Sequence, residues 1–496
     1  MRKHNYFVTF LKKINLSINI LLKKYLNKLN FNNISAIALS NKIFVAFVVL
    51  VILIFSYLSI PSVFEKSEIR KELKDQLHSK FNLNFQLGQN LKYNFFPRPH
   101  FINENSTILN DQNEISKIRE LKIYVSLKNL FSLDGIIINN LIIENANFNL
   151  NNQTYNFFTK LLFQNLKDSN ILIKNSNIFY KNSDHEVLFI NKIEKIKYYY
   201  DLKYLRNTVK SKNEIFNMPY SLELHYSQDE KKIFSKLNFD FLKLQILNEM
   251  DYNDEPRKGL AKLVFNKQKS DVTYQFSKSF FKFNFFDKIN DKNFFYEGNI
   301  NFDPFYSNLK GSTKNIDLST FINSNALIVQ LLKTEILYNK NLDFHFSIIG
   351  EKIYNYENFK NISLNSKIQD SLIDLDETKF TWKNNANFVI SDSLIHVKNN
   401  ELILDAKLDI VIKKSDEIYK SFLTPKNYRI EIKKIELSFN YNFDQKILEL
   451  NDIKIDNKLN QKLNKSLKIL MFKDDRLQNK IYFKNKINKA IKYYAG

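Results

Sequence analysis

The amino-acid sequence predicts a mainly β protein with a few helices, in which one transmembrane helix precedes a long exported antiparallel sheet. Three observations carry this reading. Ile43 to Ile60 reads IFVAFVVLVILIFSYLSI without a single charge. Apolar and polar residues then alternate with a period of two through most of the remaining chain, as strands with one apolar face require. Stretches of helical period are few.

Residues 1–42 form a basic segment with Arg2, Lys3, Lys12, Lys13, Lys23, Lys24, Lys28 and Lys42 and no acidic residue. Phe7, Phe10, Leu11, Ile14, Ile18 and Leu21 fall at helical spacing, which suits either a basic amphipathic helix on the inner leaflet or a basic tail. Residues 43–60 form the membrane helix. Fourteen of these residues are Leu, Ile, Phe or Val, so insertion is favoured by roughly 5 kcal/mol. The positive-inside rule keeps the N-terminus in the cytoplasm and sends the rest of the chain out. No small-x-small cleavage site follows the run.

Residues 61–473 form the exported β-rich body. Pro61 ends the membrane helix, and a helical stretch over Ser62 to Phe81 places Ile69, Leu73 and Leu77 on one side. Leu121, Ile123, Val125 and Leu127 then alternate with polar residues. Tyr220 to Tyr226, the polar turn Ser227 to Lys232, and Ile233, Leu237, Phe239 and Phe241 read as an antiparallel hairpin. The pattern recurs at Val272 to Phe276, at Phe281, Phe283 and Phe285, at Leu342 to Ile348, at Leu402 to Ile412 and at Ile435 to Phe443. Asp317 caps a helical stretch over Leu318 to Ile336, and residues 474–496 form a basic amphipathic C-terminal helix.

Composition narrows the function. With 7 Gly and 7 Pro in 496 residues, few linkers can be drawn, so one elongated exported body is expected. The net charge of +22 comes with an abundance of Lys, Asn, Ile, Phe and Tyr, the residues of AT-rich codons. No nucleic-acid motif accompanies it, so nucleic acid is not an expected partner. Absence of cysteine removes thiol catalysis and thiolate metal sites. The seven histidines lack metal-ligand spacing, and Asp370, Asp374, Asp376 and Glu377 lack the glycine-containing loop of a calcium site and read as a solvated turn. There is no nucleophile elbow, P-loop or dinucleotide fingerprint. The expectation is no enzyme, no metal and no cofactor.

What remains is the sheet. Either a second layer closes over its apolar side, the commoner arrangement, or that side stays open as a groove lined by some of the 45 Phe and 26 Tyr, suited to acyl chains. Leu237, Phe239, Phe241, Phe281, Phe283 and Phe285 are the groove candidates.

The order of a basic N-terminus, one membrane helix, the charged helix IRKELKDQL, FQLGQNLKYNFFPRP (Phe85 to Pro99) and IRELKIYVSLKNLFSLDGIIINNLIIENANFNL (Ile118 to Leu150) resembles the N-terminal region of the AsmA family of inner-membrane-anchored envelope proteins. Gly88, Phe96, Pro97, Leu130, Gly135 and Ile138 fall on the family pattern, and Asn170 to Ile196 resembles its next strand pair. An expected glycine is replaced by Asn82 or Asn84. The resemblance implies a long, twisted sheet curved into an apolar groove that carries phospholipid from the inner membrane and supports outer-membrane homeostasis. It implies phospholipids, the inner membrane and other envelope proteins as partners, and nominates no catalytic residue. Two rival readings are a closed-core scaffold for outer-membrane protein biogenesis and an exported enzyme with an unrecognised site.

Overall fold

A computed structural model describes residues 42–110, 113–164, 166–253, 255–265, 268–289, 292–302, 305–317, 327–334 and 343–459, together with 461, 463–464, 472–473 and 480–495. The basic N-terminal segment lies outside the described residues. Two compact units are distinguished by their internal contacts. One takes in the chain up to Leu73 with Leu91–Ile102 and Tyr124–Ile138; the other takes in Lys74–Asn90, Asn103–Ile123 and the chain from Asn139 onward.

In the first unit the apolar run forms the helix Lys42–Ser59. Among the described residues it provides the one span long and apolar enough to cross a membrane, Phe44–Ser62, and almost none of that span is buried within the protein. A helix that is apolar all round and uncovered by protein has lipid as its natural solvent. Pro61 sits in the 3-10 turn Ile60–Ser62 that ends it, because proline supplies no N–H for a continuing ladder. The helix Lys66–Phe81 follows, and Ile69, Leu73 and Leu77 are all buried, as their spacing predicts. Asn82 ends it with a left-handed φ of 50° while its N–H reaches back to the His78 carbonyl. Asparagine adopts that conformation more readily than other side chains, which accounts for its standing where glycine is expected.

The sheet is built from strands that pair mostly with their sequence neighbours. Among the described residues it has 26 strands. Every junction from Asn170–Lys181 to Phe305–Ile316 is an antiparallel neighbour pairing. Among the described pairings two are parallel: Ile138–Leu150 with Asn170–Lys181, and Phe305–Ile316 with Phe344–Ile353. Parallel neighbours require a crossover. The first crossover carries the helical turns Phe157–Lys160 and Leu161–Phe163, and the second contains the helix Leu327–Leu332. The rest of the helical stretch predicted over Leu318 to Ile336 lies mostly outside the described residues.

The scarcity of glycine is met at the turns by asparagine. Asn399 and Asn400, with φ of 53° and 63°, join the strands Ala386–Lys398 and Glu401–Ile412. Two successive left-handed residues match the twist of a hairpin. Two sequence expectations are corrected here. Leu127 lies beyond the strand Asn113–Val125 and is 59% exposed. Phe241 lies beyond Lys232–Phe239, in the turn, and is 58% exposed. In both cases alternation continues in sequence past the last paired residue.

Candidate functional site: the apolar face of the sheet

Facing residues of an antiparallel pair lie on the same side of the sheet, so register assigns the faces. Leu237 faces Leu222 on one side and Ile246 on the other, and Phe239 faces Leu244. Further along, Phe281 faces Phe276 and Ile300, Phe283 faces Tyr274 and Gly298, and Phe285 faces Val272 and Tyr296. The row Ile233, Met250, Gly259, Tyr274, Phe283 connects the two regions strand by strand. Leu237, Phe239, Phe281, Phe283 and Phe285 therefore share one face. Phe241, in its turn, does not belong to these rows.

The other face carries most of the charge, with a few apolar residues such as Leu247 among the charged ones. Lys236 faces Glu223, Lys262 faces Asp271, and Asn284 faces Glu297, all of them exposed. His225 is on this side, stacked on Phe234. The acidic residues near 370–377 are used for local turns: Asp376 Oδ1 accepts hydrogen bonds from the Ser393 N–H at 2.8 Å and the Ser393 hydroxyl at 2.5 Å.

Cover over the apolar face varies along the second unit. At the first crossover Phe157, Leu161 and Leu162 are buried, Phe148 meets the rings of Phe157 and Phe158, and the Tyr198 hydroxyl donates to the Phe158 carbonyl at 2.9 Å. At the second, Val329 and Leu332 form a buried cluster with Ile368, Ile373, Ile395 and Leu404. Nearer the C-terminus Ala490, Ile491 and Tyr494 of the helix Lys480–Ala495 pack on Tyr419, Ile432, Ile453 and Ile455. A cavity of about 390 Å³, walled by Trp382, Phe388, Leu437, Tyr419 and Ile491 among others, lies there.

Between the crossovers the pattern changes. Of the described hydrophobic residues from Leu244 to Phe302, none is fully buried; those on the apolar face are half-buried. Rings along the apolar face lie against their neighbours, Tyr274 meeting Phe281 at 5.2 Å and Phe285 meeting Tyr296 at 5.7 Å, with Tyr220 stacking on Phe239 at 5.3 Å just before this stretch. The phenols add no charge at neutral pH. Burial pushes Tyr274 up to about 12 despite its 2.7 Å hydrogen bond to Asn248 Oδ1, and burial likewise pushes Tyr220 up to about 12.

Glycines shape this face in a way the sequence reading missed. Gly259 faces Tyr274, Gly298 faces Phe283 and Gly311 faces Tyr296, and in each pair the ring occupies the space a side chain on the glycine would need. The rings therefore lie across the sheet instead of standing from it. The available signal was the placement of three of only seven glycines inside alternating strands, where glycine is otherwise unfavourable.

Two glycines nearer the N-terminus have a steric reason too. A Cβ at Gly88 would stand 2.1 Å from the Glu104 carbonyl oxygen, and one at Gly135 would stand 2.7 Å from that of Asn129. No curated protein matches the chain. A family model, that of the AsmA family, matches residues 39–272, and that match supports membership of the AsmA family.

Proposed function

We propose that this protein is an inner-membrane-anchored carrier whose exported sheet binds phospholipid acyl chains on its apolar face and conducts them toward the outer membrane, supporting lipid homeostasis there. Family membership supports an envelope-associated role in lipid transport or maintenance. The apolar helix Lys42–Ser59 and the family match are consistent with an inner-membrane anchor, and the basic flank supports a cytoplasmic N-terminus with a periplasmic body.

The observation that carries the reading is the stretch from Leu244 to Phe302. Here one face presents aligned, half-buried Leu, Ile, Phe and Tyr side chains while the other carries most of the charged residues, with Leu247 and Phe295 among them. A contiguous apolar surface of this kind is costly in water and marks a binding surface. Acyl chains suit it because it offers dispersion contact along its length with few polar groups to fix a particular solute. The chemistry is transport: the reading names no catalytic residue.

The test is mass spectrometry of phospholipid that co-purifies with the full chain in mild detergent, measured against Phe283→Asp. A bound excess in the unaltered protein that the variant loses supports the carrier. Equal lipid in both, ascribable to the membrane helix alone, contradicts it.

A further inference from the structure

The end of the membrane helix is held by two segments that return to it within the first unit. From 91–96, the Tyr93 hydroxyl donates to the Leu58 carbonyl at 2.7 Å and the Phe95 ring meets Phe55 edge-on at 5.7 Å. From 126–137, Phe131 lies 4.8 Å from the Tyr57 ring, and the Tyr57 hydroxyl donates to the Leu127 carbonyl at 2.7 Å while accepting from the Leu130 N–H at 3.3 Å. Phe55 precedes the helix end by four residues, which at 1.5 Å per residue puts it about 6 Å inside that end. Side chains touching Phe55 and Tyr57 must share their depth.

The same segments expose large apolar side chains. Phe131 is 71% exposed, Phe96 67% and Leu127 59%, and Ile137 and Val63 are exposed with them. Exposed aromatic and aliphatic groups around the end of a membrane helix match the interfacial region of a bilayer, where aromatic belts occur. Lys128 and Arg98 are also exposed, on stems long enough to carry their charge toward headgroups; Asp134 is the exposed acid among them.

Irregular backbone enters a membrane only if its polar groups find partners. Within 126–137 the Ser126 N–H donates to Ile137 O, Gly135 N–H to Ser132 O and Ile136 N–H to Leu133 O, and the Lys128 N–H donates to the Ser126 hydroxyl. With the two bonds to Tyr57, this segment satisfies much of its backbone inside the protein.

We infer that residues 126–137 and the Phe95–Phe96 tip form a collar inserted into the bilayer leaflet on the exported side, around the end of the helix. The partner is the phospholipid interface of the membrane that the helix spans. The inference needs the helix to span, and it does not need lipid to move along the sheet.

The experiment uses the full chain in nanodiscs of phospholipid with brominated acyl chains, in a Trp382→Phe background that leaves no native tryptophan. Single tryptophans are introduced as Phe131→Trp, Phe96→Trp and Leu127→Trp, with Val49→Trp in the middle of the helix as reference, and far-UV circular dichroism confirms folding. The collar predicts loss of emission to bromine at 131 and 96 as well as at 49, with 127 supporting the result should either aromatic variant misfold. Quenching at 49 with none at the three collar positions overturns the collar and leaves the span standing. Absence of quenching at 49 overturns both.

Discussion

Phe283 lies directly across the sheet from Gly298, and a methyl group at Gly298 would stand 2.1 Å from Cε1 of the Phe283 ring. The pair fixes the ring over its neighbour's backbone and keeps the apolar surface low. Gly298→Ala should therefore lift the ring and cost about 1–3 kcal/mol, the usual range for overpacking. Adding Phe283→Ala should recover most of that loss, a favourable coupling readable in a denaturant double-mutant cycle. Strictly additive costs would show that the ring does not depend on the glycine.

Asn103 is fully buried in the second unit. Its Oδ1 accepts from the Gly88 N–H at 2.7 Å and the Ser106 hydroxyl at 2.6 Å, and its Nδ2 donates to the carbonyls of Gly88 at 2.9 Å and Asn90 at 3.1 Å. Asn103→Leu should destabilise by more than the roughly 1–3 kcal/mol of a single unsatisfied group, because several partners are orphaned at once. A change within about 0.5 kcal/mol, typical of a surface site, would contradict this.

Glu144 gives the stability a pH dependence. Burial raises its carboxyl, but hydrogen bonds and charge from Lys122 at 2.9 Å and Lys174 at 3.4 Å outweigh that and hold it below its ordinary 4.5. A depressed folded value means the stabilisation is present above the unfolded value and lost as pH falls through the folded one. Chemical denaturation should show Glu144→Gln weaker than the unaltered chain at pH 7, with the two converging as pH drops below the ordinary carboxylate range. A gap independent of pH would mean the loss is one of packing.

Much of this fold was legible in sequence, because alternation of period two follows from burying one side of a strand, and an uncharged apolar run of this length forms one continuous helix. Five of the six candidate residues fall on one face for that reason. Phe241 does not, since alternation in sequence cannot mark where pairing stops. The two parallel junctions were hidden as well: Leu150 and Asn170 flank a crossover whose strands look like any others, and only register shows that they run the same way. Of Asn82 and Asn84, the two candidates for the missing glycine, only the φ of 50° singles out Asn82.

The C-terminal helix is tied on by Asn488, whose Oδ1 accepts from the Thr424 hydroxyl at 2.6 Å and whose Nδ2 donates to the Phe422 carbonyl at 2.8 Å. Ile491→Asp would place a charge against Tyr419 and Ile453. Hydrogen exchange should then lose protection in Lys434–Asn442 and Ile447–Ile455, with strands around Ile171 and Tyr198 unaffected. Uniform loss across the chain would indicate global unfolding.

The most direct measurement of the central claim is site-specific photo-crosslinking in cells. A photoreactive side chain at Phe239 or Phe283, on the apolar face, should capture phospholipid; one at Lys236 or Asn284, on the exposed opposite face, should not. Equal capture from both faces would contradict the account, since it would reflect nonspecific contact with membrane rather than a lipid-bearing surface.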